Sequence, residues 1–347
     1  MLNPTSFRDL VSGQRKGLAA SCLRAGFRLV EFPYAWVMAR RNRRYDRGRS
    51  PIHRVDVPVI SVGNLTLGGT GKTPLVEWLA RWFRSSEVRV SIVSRGYGAE
   101  QGECNDEALE LELALPDVPH LQNPNRVEAA ALAVEELETQ LILLDDGFQH
   151  RRLSRDLDIV LLDATEPYGF GHVFPRGTLR EPLAGLRRAH AIVLSRADML
   201  ETTQREAIRQ RVATLAPDAA WCEVVHQPAF LLDAQGHESP LVSASRQGVA
   251  AFCGIGNPRG FRHTLDTLGY QVSAWREFPD HHTYTRDDVE SLTAWAADAT
   301  QILCTRKDLV KLGVTELGDV PLRAVAVQLK FLAGEESLQQ LLRAALR

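Results

Sequence analysis

Three features of this 347-residue sequence predict an α/β fold, a P-loop NTPase-like parallel sheet domain followed by a second, smaller α/β domain. Short β-branched runs alternate with helix-period stretches between residues 57 and 215, the pattern of a parallel sheet wrapped by helices. A glycine loop, Gly68-Gly69-Thr70-Gly71-Lys72-Thr73, joins a strand-like VPVISV (57–62) to a helical TPLVEWLARWF (73–83). A fresh α/β alternation starts at Val249.

Residues 1–50 form a segment of their own. From Leu18 to Met38 the chain is apolar except at Arg24, Arg28 and Glu31. Its longest uncharged run, Phe32 to Ala39, falls short of the roughly 20 apolar residues that a bilayer span needs. The same charges argue against a cleaved signal peptide. Drawn as a helix, the segment carries Arg24, Arg28 and Glu31 on one face. Leu18, Cys22, Leu29, Tyr34 and Val37 lie largely on the other, and a kink is expected at Pro33. Arg40, Arg41, Arg43, Arg44, Arg47 and Arg49 follow. The expected reading is an N-terminal amphipathic helix contacting a membrane, its arginines against an anionic phospholipid surface. A helix packed on the core with a solvated basic linker, or an RNA-contacting arm, are the alternatives.

The glycine loop reads as a phosphate cradle. Glycines let backbone N–H groups turn onto a polyphosphate, and the helix opening at Thr73 adds the positive end of its dipole. Lys72 supplies a mobile charge for the β- and γ-phosphates and Thr73 a hydroxyl for Mg²⁺. Pro74 suits a first helical turn, and Leu75, Trp78, Leu79, Trp82 and Phe83 recur at helical spacing. The pattern G-x-x-x-x-G-K-[ST] expects glycine at 66, where Thr66 stands. A glycine turn with an accidental Lys-Thr is the plain alternative.

Further strands are expected at 88–94, 141–144, 158–162 and 191–195, with helices at 126–138 and 201–215. Residues 226–248 read as a hairpin-like connector between a 51–225 nucleotide-binding domain and a 249–347 domain. The latter holds VAAFCGIG, a helix near 258–268, QVSAWREF, a helix near 286–297, QILCT and RAVAVQLKF.

Asp145-Asp146-Gly147 follows the strand LILL, so two carboxylates stand at its carboxyl end, where they can hold Mg²⁺. A turn-forming Asp-Asp-Gly is the alternative. Asp106-Glu107 falls in a loop and Pro279-Asp280-His281-His282 in the second half of the chain. A hydroxyl that accepts phosphate wants a carboxylate or imidazole within hydrogen-bond reach, which makes Asp106 and His281 candidates against a solvated-loop reading. Arg180-Glu181 offers one charge to a γ-phosphate and one to a metal, or forms an ordinary ion pair. A net charge of −2 argues against a generally basic nucleic-acid binder. The five scattered cysteines (Cys22, Cys104, Cys222, Cys253, Cys304) lack a C-x-x-C pair and read as buried structural thiols.

Together SVGNLTLGGTGKTP (61–74), SRGYG (94–98), NDEALEL (105–111), NRVEAA (125–130), LDDGFQHRRLSRDLDIVLLDA (144–164), GTLREPL (177–183), FCGIGNPRGFRHTLDTLGY (252–270), FPDHHTY (278–284) and TRKDLVKL (305–312) resemble the tetraacyldisaccharide 4′-kinase family. The family's loop reads N-L-T-x-G-G-x-G-K-T, so Thr66 fits it. The resemblance implies ATP- and Mg²⁺-dependent phosphorylation of the 4′-hydroxyl of a lipid A disaccharide 1-phosphate. It implies a peripheral or monotopic protein at the cytoplasmic face of a Gram-negative inner membrane. It puts Thr66, Leu67, Gly68, Gly69, Thr70, Gly71, Lys72 and Thr73 on ATP, with Thr73, Asp145, Asp146 and Glu181 around the metal. Asp106 and His281 match the base pair, Arg180-Glu181 the transfer-site pair, and Arg126 and His150 the substrate cleft. ECNDEAL departs from the family at Asn105 and Ala108. If His281 comes from the second domain and Asp106 from the first, the base assembles only on closure. The competing readings are a GTPase or metal-insertion ATPase, echoed by Ser195-Arg196-Ala197-Asp198, and a nucleotide-gated membrane or RNA adaptor. Asp145-Asp146-Gly147 lacks the D-x-x-G spacing that the first requires. A monomer without a nucleic-acid partner is expected.

Overall fold

The computed structural model describes residues 4–96, 106–241 and 248–346. Tyr97 and Gly98 of SRGYG, Cys104, Asn105 and positions 242–247 of the expected connector lie outside the described residues. From the N-terminus the elements are α1 (Pro4–Ser12), α2 (Leu18–Asp46), β1 (Val59–Asn64), α3 (Lys72–Arg84), β2 (Val90–Ser94), α4 (Asp106–Ala114), β3 (His120–Gln122), α5 (Arg126–Leu137), β4 (Leu141–Asp145), β5 (Leu157–Asp163), β6 (Ala191–Ser195) and α6 (Thr202–Leu215). Then come β7 (Ala220–Leu232), β8 (Glu238–Ser239), β9 (Val249–Cys253), α7 (Pro258–Thr267), β10 (Val272–Glu277), α8 (Arg286–Trp295), β11 (Gln301–Cys304), α9 (Arg306–Leu312), β12 (Glu316–Leu317), β13 (Val320–Ala333) and α10 (Glu335–Ala345).

The chain divides into two compact units. The first comprises residues 1–96, 118–225 and 331–347. Its strands run β7-β6-β5-β1-β4-β2-β3, and these neighbours pair in parallel. β1, β2, β4, β5 and β6 are buried from end to end, as strands covered by helices on both faces must be. Val62 registers with Asp145 and Asn64 with Leu161. That register gathers the carboxyl ends of β1, β4 and β5, where open α/β sheets bind ligands.

The second unit comprises residues 97–117 and 226–330. Its sheet runs β10-β9-β11-β13 in parallel, and Phe252, Leu292, Ile302, Leu309 and Leu322 form a core against it. α4 packs against α9. This division differs from the sequence-based one at both ends. β7 runs unbroken through positions 220–232 and its end pairs antiparallel with β8, Leu231 against Ser239, the hairpin expected of the connector, whereas residues 331–347, expected in the second domain, belong with the first unit. Residues 97–117 belong with the second unit, and Asp106, expected in a loop, is the first residue of α4. Asp106 and Glu107 occupy that helix's first turn, where its dipole favours carboxylates.

α2 runs through Pro33 to Asp46 without interruption. Its charged face turns inward, which reverses the arrangement of an ordinary surface helix. Glu31 accepts the Val173 N–H at 2.9 Å, and Arg41 donates to the Gln149 carbonyl at 2.7 Å. Tyr34, expected on the apolar face, instead packs on the first unit's core and donates to the Arg180 carbonyl. Leu29, Phe32 and Trp36 face outward, 74%, 61% and 58% exposed. Trp36 and Arg40, Arg43, Arg44, Arg47 and Arg49 line one cavity of about 360 Å³. Among the described residues no helix is long and apolar enough to cross a membrane. Cys222, Cys253 and Cys304 are buried as expected, but Cys22, on α2, is exposed.

Candidate active site

The glycine loop is fixed from behind by side chains at the strand ends. Asn64, the last residue of β1, donates to Thr70 Oγ1 at 3.0 Å, and Ser195, the last of β6, donates to the Thr70 carbonyl at 2.7 Å. Arg196 pairs with Asp163 at 2.6 Å and donates to the Gly69 carbonyl at 3.2 Å. The Leu67 N–H reaches the Thr178 carbonyl at 2.7 Å, and Thr66 bridges to Leu179. Gly71, at the start of α3, has a φ of +83°, a left-handed conformation that glycine adopts without steric cost. Ser195-Arg196-Ala197-Asp198, the echo of a base reader, thus contains two residues that brace the loop.

Lys72, Arg180 and Arg126 converge on Asp146. Lys72 Nζ stands 3.5 Å from Asp146 Oδ1, and Arg180 donates to both carboxylate oxygens at 2.7 and 2.8 Å. Arg126 reaches the Asp146 backbone carbonyl at 3.4 Å. Burial alone would raise the Asp146 pKa, but Lys72, Arg180 and Arg126 outweigh it and hold the carboxyl well below the usual range. His150 is pushed down to about 4 by burial and then by Arg126, so it is neutral at pH 7. Gly147 makes this packing possible, because a Cβ there would lie 2.7 Å from the Leu144 side chain and from Ser61 Oγ.

Several polar atoms at this end of the sheet remain unanswered. Asn64 Oδ1, Arg126 Nε, Gln149 Oε1, His150 Nε2 and Arg180 Nε are buried without a hydrogen-bond partner among the described residues. Proteins rarely leave such groups bare, so water, an ion or a polar ligand answers them. Asn64 and Gln149 carried no signal strong enough to single them out in the sequence, although both lie inside quoted motifs.

The expected metal ligands divide into two kinds. Asp145 ends β4 as a buried carboxylate and accepts the Asp146 N–H at 2.9 Å. Thr73 lies in the first turn of α3. Both are hard oxygen donors of the kind Mg²⁺ takes, one or two carboxylates being enough when phosphates complete the shell. Glu181 differs. It is 1% exposed, and Arg188 (2.8 and 3.0 Å), Gln149 (3.0 Å) and Asn42 (2.5 Å) use both its oxygens. It ties α2 to the sheet end. No group of three metal-ligating residues stands ready-made among the described residues.

In the second unit, His281 Nδ1 lies 3.0 Å from Asp106 Oδ2. Both residues belong to that unit, which corrects the expectation that the pair assembles only when two domains close. Lys311 Nζ reaches the same carboxylate oxygen at 2.7 Å, and Lys307 Nζ stands 3.6 Å from it and 3.0 Å from Asp280. Burial raises the Asp106 pKa, yet His281, Lys311 and Lys307 together bring it far below the carboxylate range. Lys307 and Lys311 were singled out by nothing but their place in TRKDLVKL, one helical turn apart.

The model of the tetraacyldisaccharide-1-P 4′-kinase family matches residues 23–347. A tetraacyldisaccharide 4′-kinase of Anaeromyxobacter sp. (strain K) is 40% identical, with 96% of this chain and 93% of that one aligned. Its counterpart in Geobacter sulfurreducens is 35% identical over 93% of this chain and 94% of its own. The crystal structure of the "apo" form of LpxK from Aquifex aeolicus in complex with ATP is similar at a TM-score of 0.74 and 31% identity, covering 94% of this chain and 100% of that one.

Proposed function

The chain belongs to the tetraacyldisaccharide-1-P 4′-kinase family, and from that premise we propose how its residues carry the reaction. It is an ATP-dependent kinase that phosphorylates the 4′-hydroxyl of the lipid A disaccharide precursor. Thr66 to Thr73 hold the ATP phosphates. Lys72 and Arg180 are the cations for the β- and γ-phosphates, and Asp146 keeps both aimed. The observation that carries this assignment is their convergence on Asp146 beside buried polar atoms that lack partners. Phosphoryl transfer depends mainly on positioning and charge stabilisation, which such a set supplies.

The Thr73 hydroxyl and Asp145 are the side chains suited to Mg²⁺, and Glu181 is left out of the shell. When bound, the ion neutralises charge on the phosphates. Arg126 and His150 line the substrate side, His150 as a neutral hydrogen-bonding group. Asp106 and His281 provide the base for the acceptor hydroxyl.

The acceptor's acyl chains hold it in lipid at about 0.8 kcal/mol per buried CH₂, so the kinase works at a membrane surface. Outward Leu29, Phe32 and Trp36, with the arginine cavity at and just beyond the end of α2, supply that contact with an anionic phospholipid surface. The corresponding location is the cytoplasmic face of the inner membrane, with the protein peripheral and monomeric.

The test is incubation of γ-labelled ATP with detergent-dispersed tetraacyldisaccharide 1-phosphate. Label enters the lipid with the native chain and fails to with Lys72→Ala. Release of the label only as free phosphate would remove the kinase assignment.

A further inference from the structure

The second unit contains a charge cluster larger than a base pair needs. We propose that Lys307 and Lys311 are positioning residues, a two-point clamp on Asp106 that fixes the His281 ring so that Nε2 accepts the proton. This deepens, and rests on, the reading of Asp106 and His281 as the base.

Asp106 Oδ2 receives His281 Nδ1 at 3.0 Å and Lys311 at 2.7 Å, with Lys307 at 3.6 Å. A carboxylate so surrounded stays ionised and makes a weak proton acceptor, consistent with its depressed pKa. What it does well is accept the Nδ1–H and thereby set the tautomer, leaving the Nε2 lone pair available. Nε2 is 3.9 Å from Asp280, too far for a hydrogen bond, and Lys307 holds that carboxylate away at 3.0 Å. Burial disfavours the Lys307 ammonium, but Asp280 first and then Asp106 and Glu107 keep it charged, with a raised pKa.

The clamp is itself anchored. Asp308, fully buried on the same helix, accepts the Gly254 N–H (3.0 Å), the Tyr284 hydroxyl (2.9 Å) and the Thr305 hydroxyl (2.5 Å). Lys311 also donates to the His282 carbonyl at 3.1 Å, and His282 pairs with Asp288. So α9 grips the segment carrying His281 from both sides. His281 has a φ of 60°, and such a left-handed conformation costs a non-glycine residue about 1–3 kcal/mol unless its surroundings impose it. In the reaction the acceptor oxygen bonds to the γ-phosphorus as the bond from that phosphorus to the ADP oxygen breaks. The hydroxyl proton passes to His281 Nε2.

The experiment compares Lys311→Met, Lys307→Met, Lys311→Arg and His281→Gln in the 347-residue chain, with steady-state kinetics and ring ¹⁵N NMR of His281. Lys311→Met should lower kcat about tenfold or more while leaving the KM for ATP within about twofold, because it disturbs orientation and not nucleotide binding. Lys307→Met should show a smaller loss of the same kind, and Lys311→Arg should restore most of the activity. The His281 signals should move from a single Nδ1-protonated form toward a mixture in Lys311→Met. If His281→Gln abolishes turnover while both lysine variants keep full kcat and unchanged ring signals, the clamp is wrong and the base reading stands. If His281→Gln retains full kcat, the base reading falls and the clamp with it. Should Lys311→Met fail to fold, Lys307→Met and Lys311→Arg decide by the same readouts.

Discussion

The glycine loop of the first unit and the lysine-clamped carboxylate of the second handle polar groups in opposite ways. Around the loop, buried atoms of Asn64, Arg126, Gln149, His150 and Arg180 lack partners, and Lys72 and Arg180 share one carboxylate. Around Asp106, charges close on one another: two lysines answer Asp106 and Asp280, and His281 completes the set. Open hydrogen-bonding capacity belongs to a surface that binds, because a ligand must supply what is missing. Closed capacity belongs to a surface that orients, because a group held by several partners cannot easily move.

That contrast can be broken by substitution, and the loop should be the more sensitive half. Lys72→Ala removes one of the two cations on the Asp146 carboxylate and should lower kcat/KM about 10³-fold, read in a lipid-labelling assay. His281→Gln should lower kcat by about 10²-fold without changing ATP affinity. Equal effects on affinity from both substitutions would erase the distinction. Replacing Leu29, Phe32 and Trp36 together by alanine should weaken binding to anionic vesicles about tenfold or more while solution ATP binding is retained, measured by vesicle co-sedimentation.

The smallest effect concerns acid stability. The folded pKa of Asp106 is depressed, so its contribution is fully present above the unfolded value of 3.8 and is lost as pH falls from there toward the folded value. Asp106→Asn should therefore be less stable at neutral pH, yet lose stability less steeply between about pH 4 and pH 2. Urea midpoints across that range would measure the slope, and parallel curves would contradict the assignment.

Much of the first unit was legible because its signals are local. A glycine loop between a buried strand and an amphipathic helix needs only adjacent residues, and β1, α3, β2, β4, β5 and β6 fall where periodicity put them, within a few residues. The second unit was less legible because its site depends on distant chain segments. Nothing near Asp106 announces that residues 97–117 leave the first unit, or that two lysines 201 and 205 positions later, Lys307 and Lys311, will meet it. The hairpin of the connector was legible from its mixed alternation and turn residues, but not that its first strand, β7, begins as early as Ala220. On α2 the periodicity was visible but its sense was not. Only the contacts of Glu31 and Arg41 reveal that the charged side faces the protein.

Calorimetric titration of MgATP into the Lys72→Ala and His281→Gln proteins, beside the native chain, tests the division of labour most directly. Lys72→Ala should lose measurable binding while His281→Gln keeps the native Kd, despite its collapse in turnover. Native affinity in Lys72→Ala, or a matching loss in His281→Gln, would contradict it.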